Sequence, residues 1–422
     1  MPQALAAWRR RFPGHPASAA LLASLEARAR RARPRRLALL LPLSGAYAAL
    51  GRAVRDGFLA AYWAGPERPE VLVLDTGGQA EGALEAYREA AAQGAGWVVG
   101  PLAKEAVRAL RAQGRLPVPV LALNRSGEPG PPPAGFYAFG LAPEDEAAAA
   151  AERAWLEGHN QALLLAPRGD WGSRVLTAFA RHWSGLGGEV LAAEVYDPSR
   201  TDFAAPLQRL LAIDASRARA RALERLLGRP LRFEPRRRQD ADLVFLAAFP
   251  AQGRQIRPQL RFYYAGDLPV YATSAIYAGH PDPVRDRDLD GVRFPDIPWV
   301  LRDRDPLLEA LRRLWPERTA RLIRLYALGV DAYRLVPELP RLAAFPFETV
   351  PGATGRLSLD PRHRVHRQLL WARFAGGRPR LLPPAAGDGG PMAAPQGAAP
   401  EGEPGAGPAG RASGGPSGVH PS

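Results

Sequence analysis

The stretch RRLALLLPLSGAYAALGRAVRDGFLAAYW, Arg35 to Trp63, sets five consecutive apolar residues before Pro-Leu-Ser-Gly and follows them at once with a long amphipathic segment. An unbroken apolar run, rather than an alternating one, fits a strand covered on both faces, the habit of parallel sheets. Ser44 and Gly45 then offer either a ligand-facing loop or merely a cap and a permissive turn, and a helical pattern starts directly behind them.

The same unit recurs along the chain. VLVLDTGG (Val71 to Gly78) leads into AEGALEAYREAAAQGA, WVVGPL (Trp97 to Leu102) leads into AKEAVRALRAQG, and VPVLALN (Val118 to Asn124) closes a first series. A second series begins at ALLLAPRGDWG (Ala162 to Gly172) and continues through EVLAAEVYD, DLVFLAAFP, LPVYATSAIY and GVRFPDIPW, with helical patterns between. TARLIRLYALGVDAYRLVPEL is a strongly periodic helix, and GRLSLD with VHRQLLWARFAGGRPRLL reads as an antiparallel pair at a sheet edge. Two strand-helix series, each with its own sheet, predict an α/β protein of two Rossmann-like, doubly wound lobes.

Composition narrows the function classes. The chain has 422 residues, 46% hydrophobic and 23% charged, which is ordinary for a globular protein with a sizeable core. It has no cysteine, so disulfides, thiolate metal sites, cysteine nucleophiles and acylated cysteine anchors are excluded within it. The net charge of +14 comes almost wholly from arginine spread along the chain, with Lys104 the single lysine. Basic clusters such as RARRARPRR lack interleaved aromatics, so nucleic acid is not expected as a partner. No apolar run approaches the ~20 residues of a membrane span, and the N-terminus makes a poor secretion signal. From about Pro383 the sequence turns to Gly, Pro and Ala, and residues 383–422 are expected to be disordered.

In open parallel sheets, ligands bind beyond the carboxyl ends of strands. The candidate cleft-lining residues at such ends are Ser44, Tyr47, Gly100, Lys104, Asn124 with Arg125, Asp170, Trp171, Thr273 and Ser274. Each also has a bland reading, as a cap or a turn. Phosphate fingerprints of the GxGxxG and P-loop kinds are absent, as is a GxSxG elbow. His363 and His366 lie in a strand-like stretch that would put them on opposite faces, and nothing nearby offers a third ligand. No cofactor, metal or catalytic constellation is expected.

Beyond Arg35, the segments LALLLPLSGAYAALGRAVRDGFLAAYW, VVGPLAKEAVRAL, FGLAPEDEAAAAAERAW, LAPRGDWGSRVLTAF and GATGRLSLDPRHRVHRQLLWARFAGG resemble the C-terminal domain of the LppC family of bacterial lipoproteins. More distantly, PLSG and its helix resemble the type I periplasmic binding proteins. The resemblance implies two lobes joined by three crossovers: lobe one about 35–142 and 268–335, lobe two about 143–267 and 336–382. Residues 1–34 would be the remnant of a helical domain with its linker. It also implies a non-enzymatic periplasmic regulator, associated with the outer membrane, whose partner is a class A penicillin-binding protein. The usual lipoprotein signal and acylated cysteine are not found here, so the anchor rests on the family alone. The alternative is a solute receptor closing on a small amino-acid-like ligand, with bulky Leu102 and Trp171 set against that use.

Overall fold

A computed structural model describes residues 34–385 except Glu128, Pro129 and Asp303, together with Ala7, Trp8, Arg10, Arg11, Phe12 and His15. Apart from those few residues, the expected helical remnant over 1–34 and the Gly/Pro/Ala-rich tail lie outside the described residues.

In lobe one, β1 (Arg36–Leu41), β2 (Glu70–Asp75), β3 (Trp97–Val99), β4 (Val120–Ala122) and β5 (Phe136–Ala138) form a parallel sheet ordered β2-β1-β3-β4-β5. Helices α1 (Ala48–Ala64), α2 (Ala80–Ala92) and α3 (Lys104–Arg111) alternate with the strands. The five apolar residues of β1 serve two cores. Leu37, Leu39 and Leu41 pack with Val54, Phe58 and Leu328 on one face. Ala38 and Leu40 pack with Ala86, Tyr87 and Val107 on the other. This two-sided burial is why the run does not alternate. Strand β5 goes unread in the sequence because its apolar stretch, Phe136 to Phe139, is closed on both sides by Gly135 and Gly140 and has no helical pattern leading into it.

Lobe two starts with α4 (Pro143–Leu156), β6 (Gln161–Pro167), α5 (Asp170–Leu186), β7 (Glu189–Tyr196), α6 (Ala204–Leu210) and α7 (Ile213–Leu227). The segment TDFAAPLQRLLAID, read as one helix, is broken at Ala212, whose φ of 55° ends α6 and opens α7. β8 (Leu243–Leu246), α8 (Pro250–Phe262), β9 (Val270–Ala272) and β10 (Val292–Asp296) follow.

Here the expected lobe boundaries need correction. A return to lobe one at 268 would place β9 and β10 in the first sheet. They pair instead in parallel beside β8, in the second. Both are apolar enough to be buried on each face, which suits interior strands of a large sheet. The return comes after Asp296, through α9 (Pro298–Leu301), α10 (Pro306–Leu314), α11 (Pro316–Leu335) and α12 (Leu339–Ala344). Residues 336–382 also divide between lobes. The small antiparallel sheet of β11 (Val350–Pro351), β12 (Arg356–Leu359) and β13 (Val365–Gln368) places Leu357, Leu359 and Val365 in the core of lobe one. Only β14 (Leu370–Ala375) and β15 (Arg378–Leu381) cross back, as the antiparallel edge of the order β15-β14-β10-β9-β8-β6-β7.

Lobe one is held to its returning segment by a close helix pair. A Cβ on Gly57 of α1 would lie 2.1 Å from the Tyr326 carbonyl oxygen, and one on Gly329 of α11 would lie 2.0 Å from that of Val54. Only glycine permits that approach. On α11 itself, the Asp331 carboxylate accepts hydrogen bonds from the Ala353 and Thr354 amides at 2.7 Å and from the Thr354 hydroxyl at 2.6 Å. The glycine-rich GATGR loop is thus a pinned approach to β12.

Candidate functional site at the interlobe junction

The loops after the parallel strands hold the expected site residues, and most are occupied with their own lobe. The Asp75 carboxylate accepts from the amides of Leu43, Ser44 and Gly77. Its slight burial would raise its pKa, but the Ser44 hydroxyl and those amides outweigh that and hold it below the ordinary value. Ser44 therefore braces the first turn. Tyr47 is half exposed, with its ring against Gly78. Gly100, at φ +106°, sits where a Cβ would come within 2.0 Å of the Leu40 carbonyl oxygen, so strand packing requires this glycine. The Asn124 amide donates to the Leu102 carbonyl at 3.0 Å while its carbonyl accepts from the Arg125 amide at 2.9 Å. Lys104 opens α3, with its Cε beside Gly127.

In lobe two, Asp170 is exposed and lies 3.4 Å from Arg174. Trp171 stacks on Phe249 with centroids 4.7 Å apart. Thr273 is fully buried, and the Ser274 amide donates to Glu146 at 2.9 Å. The two expected histidines are separated: His363 stacks on Tyr137, while His366 meets Asp360 at 3.0 Å. Among the described residues no group of three or more candidate metal ligands occurs.

What joins the lobes is a set of charges that the sequence reading passed over, Arg125 excepted. Arg324, on α11 in lobe one, grips the fully buried Asp296 at the end of β10, with Nε to Oδ1 at 2.9 Å and Nη2 to Oδ2 at 2.5 Å. The same guanidinium donates to the carbonyls of Ser274 and Tyr277. Burial would lower the Arg324 pKa, yet Asp296 overrides it and the net shift is upward. Arg367, on β13 and almost wholly buried, lies 3.6 Å from Glu146 on α4. Burial raises the Glu146 pKa against the pull of Arg367. Arg125 pairs with Asp145, Glu146's neighbour.

Position along the chain explains this set. Asp145 and Glu146 occupy the first turn of α4, directly after the first crossover, where a helix N-terminus favours carboxylates. Asp296 ends β10 just before the second crossover, and Arg367 stands just before the third. Each crossover carries an ion pair to the opposite lobe. The legible signals were lone charges inside apolar runs: Asp296 in VRFPDIPW, Arg324 in RLIRLYALG, and the acidic turn of APEDE.

Two mainly parallel α/β sheets joined by three crossovers define a protein of the periplasmic-binding-protein class, and here the lobes are fastened to each other by buried and half-buried charges. A solved structure described as a "putative branched-chain amino acid ABC transporter" from Chromobacterium violaceum aligns with a TM-score of 0.57 at 28% identity, covering 80% of this chain and 99% of that one. The sequence profile of the family described as "LppC putative lipoprotein" matches residues 1–377, and the chain belongs to the LppC family. Among relatives, the penicillin-binding protein activator LpoA of Photobacterium profundum is 33% identical over 373 residues, covering 87% of this chain and 60% of that protein. The chain thus spans less than two thirds of the length of this relative. The solved "LpoA (YraM) C-domain from Haemophilus influenzae, a regulator of PBP1A" aligns at 26% identity with a TM-score of 0.65, covering 82% of this chain and 99% of that one.

Proposed function

We propose that this chain is a non-enzymatic regulator of peptidoglycan synthesis, which docks in the periplasm on a class A penicillin-binding protein and raises its activity. Its place would be at the outer membrane. The observation that carries the reading is the charge-fastened junction. Arg324–Asp296, Arg367–Glu146 and Arg125–Asp145 tie lobe to lobe, as suits a body that presents one fixed surface. Activation then follows if that surface binds the active state of the enzyme more tightly than the inactive one. The roles of the Photobacterium and Haemophilus relatives, a penicillin-binding protein activator and a regulator of PBP1A, support the same partner class. A solute receptor is less well supported, because Ser44 and Asn124, which would greet a ligand, spend their hydrogen bonds on neighbouring loops.

The test is binding of the purified chain to the periplasmic part of a class A penicillin-binding protein from the same organism, with peptide cross-linking followed in the same samples. Saturable binding with faster cross-linking is expected. Absence of both, together with a thermal shift by amino acids, would replace the regulator with a receptor.

A further inference from the structure

The apolar face of α7 changes character along its length. Ile213, Ser216 and Ala220 recur at helical spacing and are buried against the lobe. The same stripe runs on through Leu223 and Leu227, joined by Leu226, yet these are 49%, 51% and 81% exposed. The helix has outrun the body that covers it, and from Arg225 to Pro230 every residue is exposed. A Cβ built on Gly228 would meet nothing within 4 Å, so the turn stands clear of the lobe. Phe233, also exposed, follows on the returning loop.

This tip is held in place. The Leu231 amide donates to Glu224 at 3.0 Å, the Arg236 amide to the Ser216 hydroxyl oxygen at 3.3 Å, and the Arg238 amide to the Leu211 carbonyl at 2.9 Å. The loop is thereby laid back along α7, and a surface ordered in advance loses little entropy when it is bound.

Charge narrows the choice of occupant. Arg219, Arg221, Arg225, Arg229, Arg232 and Arg236 are exposed and make no ion pair among the described residues, whereas Arg209, Arg237 and Arg238 around them are each paired. Between residues 219 and 236 only Glu224 and Glu234 oppose them. A second copy would set these arginines against themselves. A protein partner would need an acidic groove deep enough to enclose a protruding tip, while a lipid interface yields to one. Leucine and phenylalanine flanked by arginines, whose long stems let the guanidinium stay at the headgroups, is the composition of helices that lie in anionic lipid surfaces.

We propose that the tip formed by the end of α7 and the loop to Phe233 seats in an anionic lipid surface, with its leucines at the acyl boundary and its arginines at the headgroup phosphates. The proposal does not depend on the regulator reading.

Flotation of the purified chain with vesicles of phosphatidylglycerol and phosphatidylethanolamine in equal parts tests it, with phosphatidylcholine vesicles as control and at physiological ionic strength. Saturable binding to the anionic vesicles alone is expected. Leu226→Ser with Leu227→Ser keeps every charge and should weaken that binding about tenfold or more. Arg225→Gln with Arg229→Gln should weaken it about tenfold. Because the chain has no cysteine, Leu226→Cys accepts a single environment-sensitive dye, whose emission should move to the blue on anionic vesicles. A dye at Ala112→Cys, exposed in lobe one, should not respond. Absence of saturable binding overturns the proposal. Binding that the leucine substitutions leave unchanged, or an unresponsive dye at 226, overturns it too, since either would mark a general attraction of the +14 chain. If those substitutions instead abolish capture of the penicillin-binding protein and spare vesicle binding, the tip is a protein-docking site and the proposal falls.

Discussion

Asp296 illustrates how much can rest on one side chain at a junction. Both its oxygens are taken by Arg324 in full burial, so removing one partner strands the other charge. Arg324→Met should destabilise the fold by about 3–5 kcal/mol, whereas the double variant Arg324→Met/Asp296→Leu should recover much of that loss. Urea unfolding of the two would decide it. Asp360 makes a pH-dependent prediction. Burial would raise its carboxyl, but His366 and the amide and guanidinium of Arg364 hold it far below the ordinary carboxylate range. An acid so depressed stabilises the fold fully above its unfolded value of about 4, and this contribution drains away as pH falls towards the folded value. Asp360→Asn should therefore cost about 1–3 kcal/mol at neutral pH and progressively less in acid, read from melting across that range.

Among elements, α1 and α11 form a close helix pair between segments far apart in sequence. With Gly329 facing the Val54 carbonyl at 2.0 Å from a built Cβ, Gly329→Ala must push the helices apart. A loss of about 1–3 kcal/mol is expected for such overpacking, measurable as a lowered melting midpoint. The elements also divide into those legible in sequence and those not. β1, β6 and β8 announced themselves as apolar runs, and α11 by its period, because two-sided burial and one-sided burial leave different patterns. β5 did not, because its short apolar stretch is closed on both sides by glycine, whereas the equally short β3, β4 and β9 sit in longer apolar runs. The same physics explains the site. Ser44 and Asn124 could be placed at strand ends, since that follows from local order, but their spending of hydrogen bonds on Asp75 and Leu102 depends on strands far apart in sequence. Arg367 and Glu146 are separated by more of the chain than any periodicity reaches.

At the scale of the whole molecule, the pairs across the crossovers restrict hinge motion. Small-angle scattering of the purified chain should give the same radius of gyration with and without added amino acids. Replacing Arg324 and Arg367 together with methionine should broaden the distance distribution, provided the variant remains folded by circular dichroism. A ligand-dependent contraction of the unmodified chain would contradict the fastened junction.

The route of the chain has its own consequence for biogenesis. Lobe two begins its sheet with β6 at Gln161 but finishes it only with β14 and β15, the first of which starts at Leu370, about 200 residues later, after the chain has visited lobe one. Neither lobe is a continuous segment, so no single cut releases one intact. A nascent chain emerging in order must keep the β10 edge unpaired until nearly everything else has been delivered. Aggregation at that edge, rather than at the first strands made, is the hazard that whatever receives the chain must guard against.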